Sequence, residues 1–135
     1  MRLVVDTNRV IAALIKDSFS RKILLHIDAE LITIPLLKEE VMKYKQYIIT
    51  KSGLTESSFD IIFQKLYDHM AVLNEDIIKK YRDEAGAIMD KVDPDDTQFI
   101  AAALATNSDI WSDDPHFQRQ KKIKILKTKD LVSLM

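Results

Sequence analysis

The sequence of 135 residues contains no cysteine. That excludes disulfides, zinc–thiolate sites and a thiol nucleophile, and it fits a reducing interior. No apolar run approaches the roughly 20 residues of a membrane span. The N-terminus lacks the apolar core of a signal segment, so the expectation is a cytoplasmic protein with no membrane partner. Only two glycines and three prolines punctuate the chain; most of it should be regular structure, without repeats or linkers. Neither charge sign dominates, with 20 basic residues against 21 acidic ones and a net charge of −1. Global charge therefore does not announce a nucleic-acid binder. Gly-rich phosphate loops, the G-x-S-x-G serine elbow and zinc-binding histidine spacings are all missing.

What is present is an ordinary globular profile, 47% hydrophobic and 30% charged, long enough for one domain over residues 1–135 with a real core. The charges are unevenly placed. Six bases and no acid lie between Asp114 and Asp130, whereas six acids fall from Asp83 to Asp96 with only Lys91 among them. A polyanion approaching the basic stretch while a metal ion sits among the acids is one reading; a solvated lysine-rich surface is the other.

Short apolar strands are expected at residues 2–6, 31–34, 110–111 and 123–126, with 71–73 either an extended link or a strand. Between them the spacing predicts helices over 7–16, 19–27, 36–51, 55–70, 74–88 and 95–107, and a last helical turn near the C-terminus. Strands alternating with crossover helices argue for an α/β fold: a three-layer α/β/α sandwich with a central, mostly parallel sheet. Ligands in such folds bind outside the carboxyl ends of the strands. Asp6, after Leu3-Val4-Val5, and Asp113-Asp114, after Ile110-Trp111, stand at two such ends.

Helical geometry sorts the other acids. Glu40 lies within the stripe Leu37, Val41, Tyr44 and Ile48, whereas Glu39 falls on the opposite side. Asp96 starts the stripe that continues with Phe99, Ile100 and Ala103; Asp95 sits at its edge and Asp93 in the extended lead-in before Pro94. Each acid alone has a plainer explanation, a helix cap or an Asp-Pro turn. Together they fall at one predicted edge. Like charges ~4 Å apart repel by about 4 kcal/mol at an effective dielectric near 20. A cluster of four carboxylates therefore calls for a hard divalent cation such as Mg²⁺ or Mn²⁺, and a water on such an ion can attack a phosphodiester.

Four segments carry a family resemblance: Val4-Val5-Asp6-Thr7-Asn8, Pro35-Leu36-Leu37-Lys38-Glu39-Glu40-Val41, Asp96 to Leu104, and Ile110-Trp111-Ser112-Asp113-Asp114-Pro115-His116-Phe117. Their order and spacing resemble the PIN-domain nucleases, in particular small stand-alone members of the VapC-toxin type, over essentially the whole chain. The resemblance implies Mg²⁺- or Mn²⁺-dependent endoribonuclease activity on RNA. It places the catalytic and metal-binding acids at Asp6, Glu40, Asp96 and Asp114, with Asn8 and Ser112 as polar helpers. It also implies an antitoxin partner and a homodimer. Asp113 stands beside Asp114, which leaves the register of the fourth acid open by one residue; Asp93 is an extra acid; and His116 stands where many members have another acid. Arg119, Lys121 and Lys122 are the candidate residues for binding phosphate. A PIN nuclease of RNA processing without a toxin role, and a non-catalytic RNA-binding or scaffolding module, are the alternatives.

Overall fold

The computed structural model describes residues 1–16 and 19–135. Its strands are β1 (Arg2–Val5), β2 (Glu30–Thr33), β3 (Met70–Val72), β4 (Asp109–Trp111) and β5 (Ile125–Leu126). Every pairing among them is parallel, in the order β3-β2-β1-β4-β5. Parallel neighbours cannot be joined by tight turns, and helices supply most of the crossovers. α1 (Thr7–Ile15) and α2 (Phe19–His26) link β1 to β2. α3 (Pro35–Lys43), α4 (Lys45–Ser52) and α5 (Glu56–Tyr67) link β2 to β3. α6 (Glu75–Lys80), α7 (Arg82–Met89) and α8 (Thr97–Thr106) lead to β4, and α9 (Thr128–Val132) follows β5.

The strands are apolar on both faces because both are covered. Alternate residues divide between two cores. Leu3, Val5, Leu31, Met70 and Trp111 pack with Leu14, Leu37, Phe59 and Leu131 on one side. Val4, Ile32 and Ile110 pack with Ile78, Met89, Phe99 and Phe117 on the other. Each such fully buried side chain contributes about 1.5–3 kcal/mol. The result is the expected three-layer α/β/α sandwich, and among the described residues its sheet is wholly parallel.

Strand order fixes the address of the site. The chain steps outward from β1 to β2 and β3, then returns to β4 on the other flank of β1. The β1/β4 boundary is thus the topological switch point, where a crevice opens beyond the strand ends. Val5 is in register with Trp111, and the Asp6 amide donates to the Trp111 carbonyl at 3.2 Å. That register sets Asp6 against the segment starting at Ser112.

Several expected elements differ in extent. The helix expected over 36–51 is two helices, broken at Tyr44 (φ −98, ψ 11). The break resets the helical phase: Leu37, Val41 and Ile48 are fully buried, but Tyr44 is 46% exposed. The helix expected over 74–88 likewise breaks at Tyr81 (φ −108, ψ 4). Residues 95–107 resolve into a 3₁₀ turn, Pro94–Asp96, followed by α8, which stops at Asn107 in the left-handed region (φ 52). The first strand ends at Val5, with Asp6 already at the N-cap position of α1. The last strand keeps only Ile125–Leu126 of the expected 123–126, because pairing with the short β4 offers only two partners.

Candidate metal centre

Asp6 is 3% exposed. Although it occupies an N-cap position, its side chain caps nothing. Instead Ser112 Oγ donates to Asp6 Oδ2 at 2.7 Å. The two residues are brought together by the β1/β4 register, and Ser112 Oγ also accepts the Asp114 amide at 3.0 Å. One hydroxyl therefore ties the end of β1 to the turn after β4. Burial pushes the Asp6 carboxyl up to about 6, against the Ser112 hydrogen bond, and the nearby Asp114 charge adds to the rise.

Glu40 is half-buried on α3, where Thr7 Oγ1 donates to its Oε1 at 2.7 Å. Burial raises its carboxyl above the ordinary value, opposed by that hydrogen bond. Glu39 is exposed, so the helical facing that separated the two glutamates is the facing observed. Asp96 likewise turns inward while Asp95 is exposed. Asp93, in extended backbone, uses Oδ1 to accept the Asp95 amide at 3.0 Å and so caps the 3₁₀ turn. Asp96 makes no such cap, and its Oδ2 is buried without a hydrogen-bond partner. Burial, reinforced by the charges of Asp6, Asp93, Asp114 and Glu40, pushes the Asp96 carboxyl up to about 8.

The adjacent pair after β4 divides. Asp114 Oδ1 accepts the His116 amide at 2.9 Å, and Asp114 faces the same cleft as Glu40 and Asp96. Asp113 points away. Its Oδ2 pairs with Arg9 Nη1 at 2.6 Å and accepts from Thr128 Oγ1 at 2.7 Å, while its Oδ1 accepts the Thr128 amide at 2.8 Å. Burial works against ionisation of Asp113, but the Thr128 hydrogen bonds and the Arg9 charge outweigh it and hold the carboxyl below its usual range. Asp113 thus fastens the start of α9 rather than joining the acids.

Glu40, Asp93, Asp96 and Asp114 border one cleft of about 440 Å³, whose other walls include Thr7, Asn8, Ile11, Tyr44 and Tyr47. Asn8 is exposed at this opening. The candidate basic residues are placed differently: Arg119, Lys121 and Lys122 are exposed and do not line the cleft. Sequence reasoning missed Thr7 as the partner of Glu40, Arg9 as the partner of Asp113, and the two tyrosines. Thr7 stood beside Asp6 in plain view, but its role depends on α3 packing across α1. His116 was noted only for the acid it replaces; its Nδ1 lies 3.0 Å from Asp93 Oδ2.

The residues present suit a hard divalent ion. Most of the converging donors are carboxylate oxygens, one of them is an orphaned buried oxygen, and two of the carboxyls are raised by neighbouring negative charge as well as by burial. A cation relieves the repulsion and gives the orphaned oxygen a partner.

A family model described as the PIN domain matches residues 4–131. No curated protein matches the chain. Among solved structures, a chain in the crystal structure of VapBC2 from Rickettsia felis bound to a DNA fragment from their promoter has a TM-score of 0.67 at 15% identity. The likeness covers 94% of this chain and 98% of that one, and at such identity it is a likeness of fold. With the family match running through nearly all of the sequence, the chain belongs to the PIN-domain family.

Proposed function

We propose that this PIN-domain chain is a metal-dependent endoribonuclease that hydrolyses RNA phosphodiester bonds, and that it is the toxin of a toxin–antitoxin pair. The observation that carries the nuclease reading is the convergence of four acids from separate segments beyond the carboxyl ends of β1, β2 and β4: Glu40, Asp96 and Asp114 border one cleft, and the buried Asp6 lies close enough to feel their charges. The toxin reading rests on the fold likeness to a VapBC2 chain over nearly the full length of both, with an antitoxin as protein partner. A homodimer and a cytoplasmic location belong to the same proposal. No described helix is long and apolar enough to cross a membrane.

In this reading Asp6, Asp96 and Asp114 hold Mg²⁺ or Mn²⁺, with Glu40 completing the set. Bound there, such an ion would supply charge neutralisation and Lewis acidity. The chain's own part is positioning. Ser112 fixes the Asp6 carboxylate and the Asp114 turn through one hydroxyl. Thr7 fixes Glu40 from the first turn of α1. Asn8 presents an amide at the opening, where it can hydrogen-bond a phosphate oxygen. The Arg119, Lys121 and Lys122 surface attracts the RNA backbone from outside the cleft.

The test is cleavage of RNA by the purified chain with Mg²⁺ or Mn²⁺, against Asp6→Asn. Cleavage by the wild type that the variant loses supports the enzyme. RNA binding without cleavage under either ion instead supports a non-catalytic module. Growth arrest on expression, absent in Asp96→Asn and relieved by a small protein encoded next to this one, separates a toxin from an RNA-processing nuclease.

A further inference from the structure

We propose that His116 supplies a nitrogen ligand to a second cation seat, formed with Asp93 and Asp96, and that this seat takes Mn²⁺ or a later transition ion in preference to Mg²⁺. The inference deepens the metal-dependent reading above and rests on it for the first seat around Asp6. The second seat stands on its own geometry.

His116 sits on the short turn Pro115–Arg119, directly after Asp114. Its Nδ1 lies 3.0 Å from Asp93 Oδ2, 3.7 Å from Asp114 Oδ1 and 4.0 Å from Asp96 Oδ2. Two atoms each bound at ~2.1 Å to one ion are about 3.0 Å apart when adjacent and about 4.2 Å apart when opposite. All three observed separations fall in that window. The ligand atoms of Asp93, Asp96 and His116 lie within 4.8 Å of one another.

Two further observations point the same way. Asp96 Oδ2, one of these atoms, is buried and has no hydrogen-bond partner. The other members are already oriented: Asp93 Oδ1 is held by the Asp95 amide, which leaves Oδ2 toward the imidazole, and the His116 backbone is held through its amide by Asp114 Oδ1. An ion entering here would meet atoms whose backbone turns already fix them, at little cost in ordering.

The nitrogen sets the selectivity. Mg²⁺ favours oxygen ligands and sheds its waters reluctantly. Imidazole suits transition ions, whose affinities rise from Mn²⁺ toward Co²⁺ and beyond. An acid at position 116 would give an all-oxygen seat indifferent to this distinction. The competing explanation is that His116 merely hydrogen-bonds Asp93 and touches no ion.

The experiment is pulsed electron paramagnetic resonance on the Mn²⁺-loaded chain, reading ¹⁴N coupling to the ion, with competition titrations against Mg²⁺. The wild type should show ¹⁴N coupling and bind Mn²⁺ more tightly than Mg²⁺ by about tenfold or more. His116→Ala should lose the coupling and most of that preference. His116→Asp should lose the coupling while gaining Mg²⁺ affinity relative to Mn²⁺. Bound Mn²⁺ without ¹⁴N coupling in the wild type overturns the proposal and needs no variant to do so. The same coupling in His116→Ala, which would assign it to His26 or His69, overturns it as well. RNA cleavage with no ¹⁴N coupling refutes only this inference, whereas ¹⁴N coupling with no RNA cleavage refutes only the nuclease.

Discussion

Replacing Asp96 by asparagine should make the metal-free protein more stable, not less. The carboxyl is pushed from 3.8 to about 8 in the fold, so the folded chain holds that proton more tightly than the unfolded chain does. The associated stability is present in full below the ordinary value and is lost as pH rises toward the raised one. Between 3.8 and a working pH of 7, at about 1.36 kcal/mol per pH unit, the loss has a ceiling near 4 kcal/mol. Asp96 keeps 14% of its side chain exposed and shares its repulsion with Asp6, so roughly half of that, about 2 kcal/mol, should survive screening. Asparagine removes the charge at nearly constant shape. In a thermal melt with chelator at pH 7, Asp96→Asn should therefore exceed the wild type by about 6–8 °C for a chain of this length. At pH 4 the advantage should nearly vanish, because the unfolded carboxyl, with an ordinary value of 3.8, is then substantially protonated as well and little of the loss has yet accrued. Saturating Mn²⁺ should reverse the order: ligand at about 100 times its dissociation constant adds about 2.7 kcal/mol to the wild type, and the variant should gain much less. A variant that melts at or below the wild type in chelator, or whose advantage persists unchanged at pH 4, would refute the electrostatic account of this cluster.

Three other outcomes follow from the same geometry. Ser112→Ala removes the hydroxyl that holds Asp6 and should cost about 10–100-fold in metal affinity by isothermal titration, as the loss of a supporting hydrogen bond to a ligand does. Asp113→Ala strips Arg9 and Thr128 of their shared acceptor and should lower unfolding free energy by about 2–3 kcal/mol in urea titrations, whereas Asp114→Asn, which removes one repelling charge and keeps the acceptor of the His116 amide, should not lower stability and should abolish RNA cleavage. Charge reversal at Lys121 and Lys122 should weaken RNA binding and flatten its logarithmic salt dependence by about one for each phosphate no longer neutralised, with metal affinity unchanged; an unaltered slope would remove these residues from the interface.

The parts of this molecule that were legible in the sequence are those governed by period. Leu3, Val4 and Val5 read as a strand covered on both faces, and the facing of Glu40 against Glu39 followed from 100° per residue on α3, while that of Asp96 against Asp95 held because Asp96 stands at the N-cap of α8 and enters its inward stripe. Period fails where a helix breaks. Tyr44 satisfied the stripe on paper, yet a single non-helical ψ at that residue turned its ring outward to the cleft. Side-chain division of labour was also out of reach. Asp113 and Asp114 have identical chemistry, and only the partners recruited from α1 and α9, 104 and 15 positions away, show which one faces the acids. The Thr7–Glu40 hydrogen bond is hidden for the same reason, since it joins two helices across 33 positions of sequence.

The bond between Ser112 and Asp6 spans 106 positions, and that separation has a consequence for synthesis. β1 is made before every other strand described here, but one of its two flanking neighbours, β4, follows it by about a hundred residues. The nascent polypeptide carries Asp6 long before it carries Ser112, Asp114 or the turn that holds His116. No arrangement of the early segments alone gathers the four carboxylates. Under the proposed activity, a chain stalled or truncated before residue 112 is therefore harmless to the RNA around it, including the message being read. The four carboxylates can meet only after Asp114 has been made and β4 has docked beside β1.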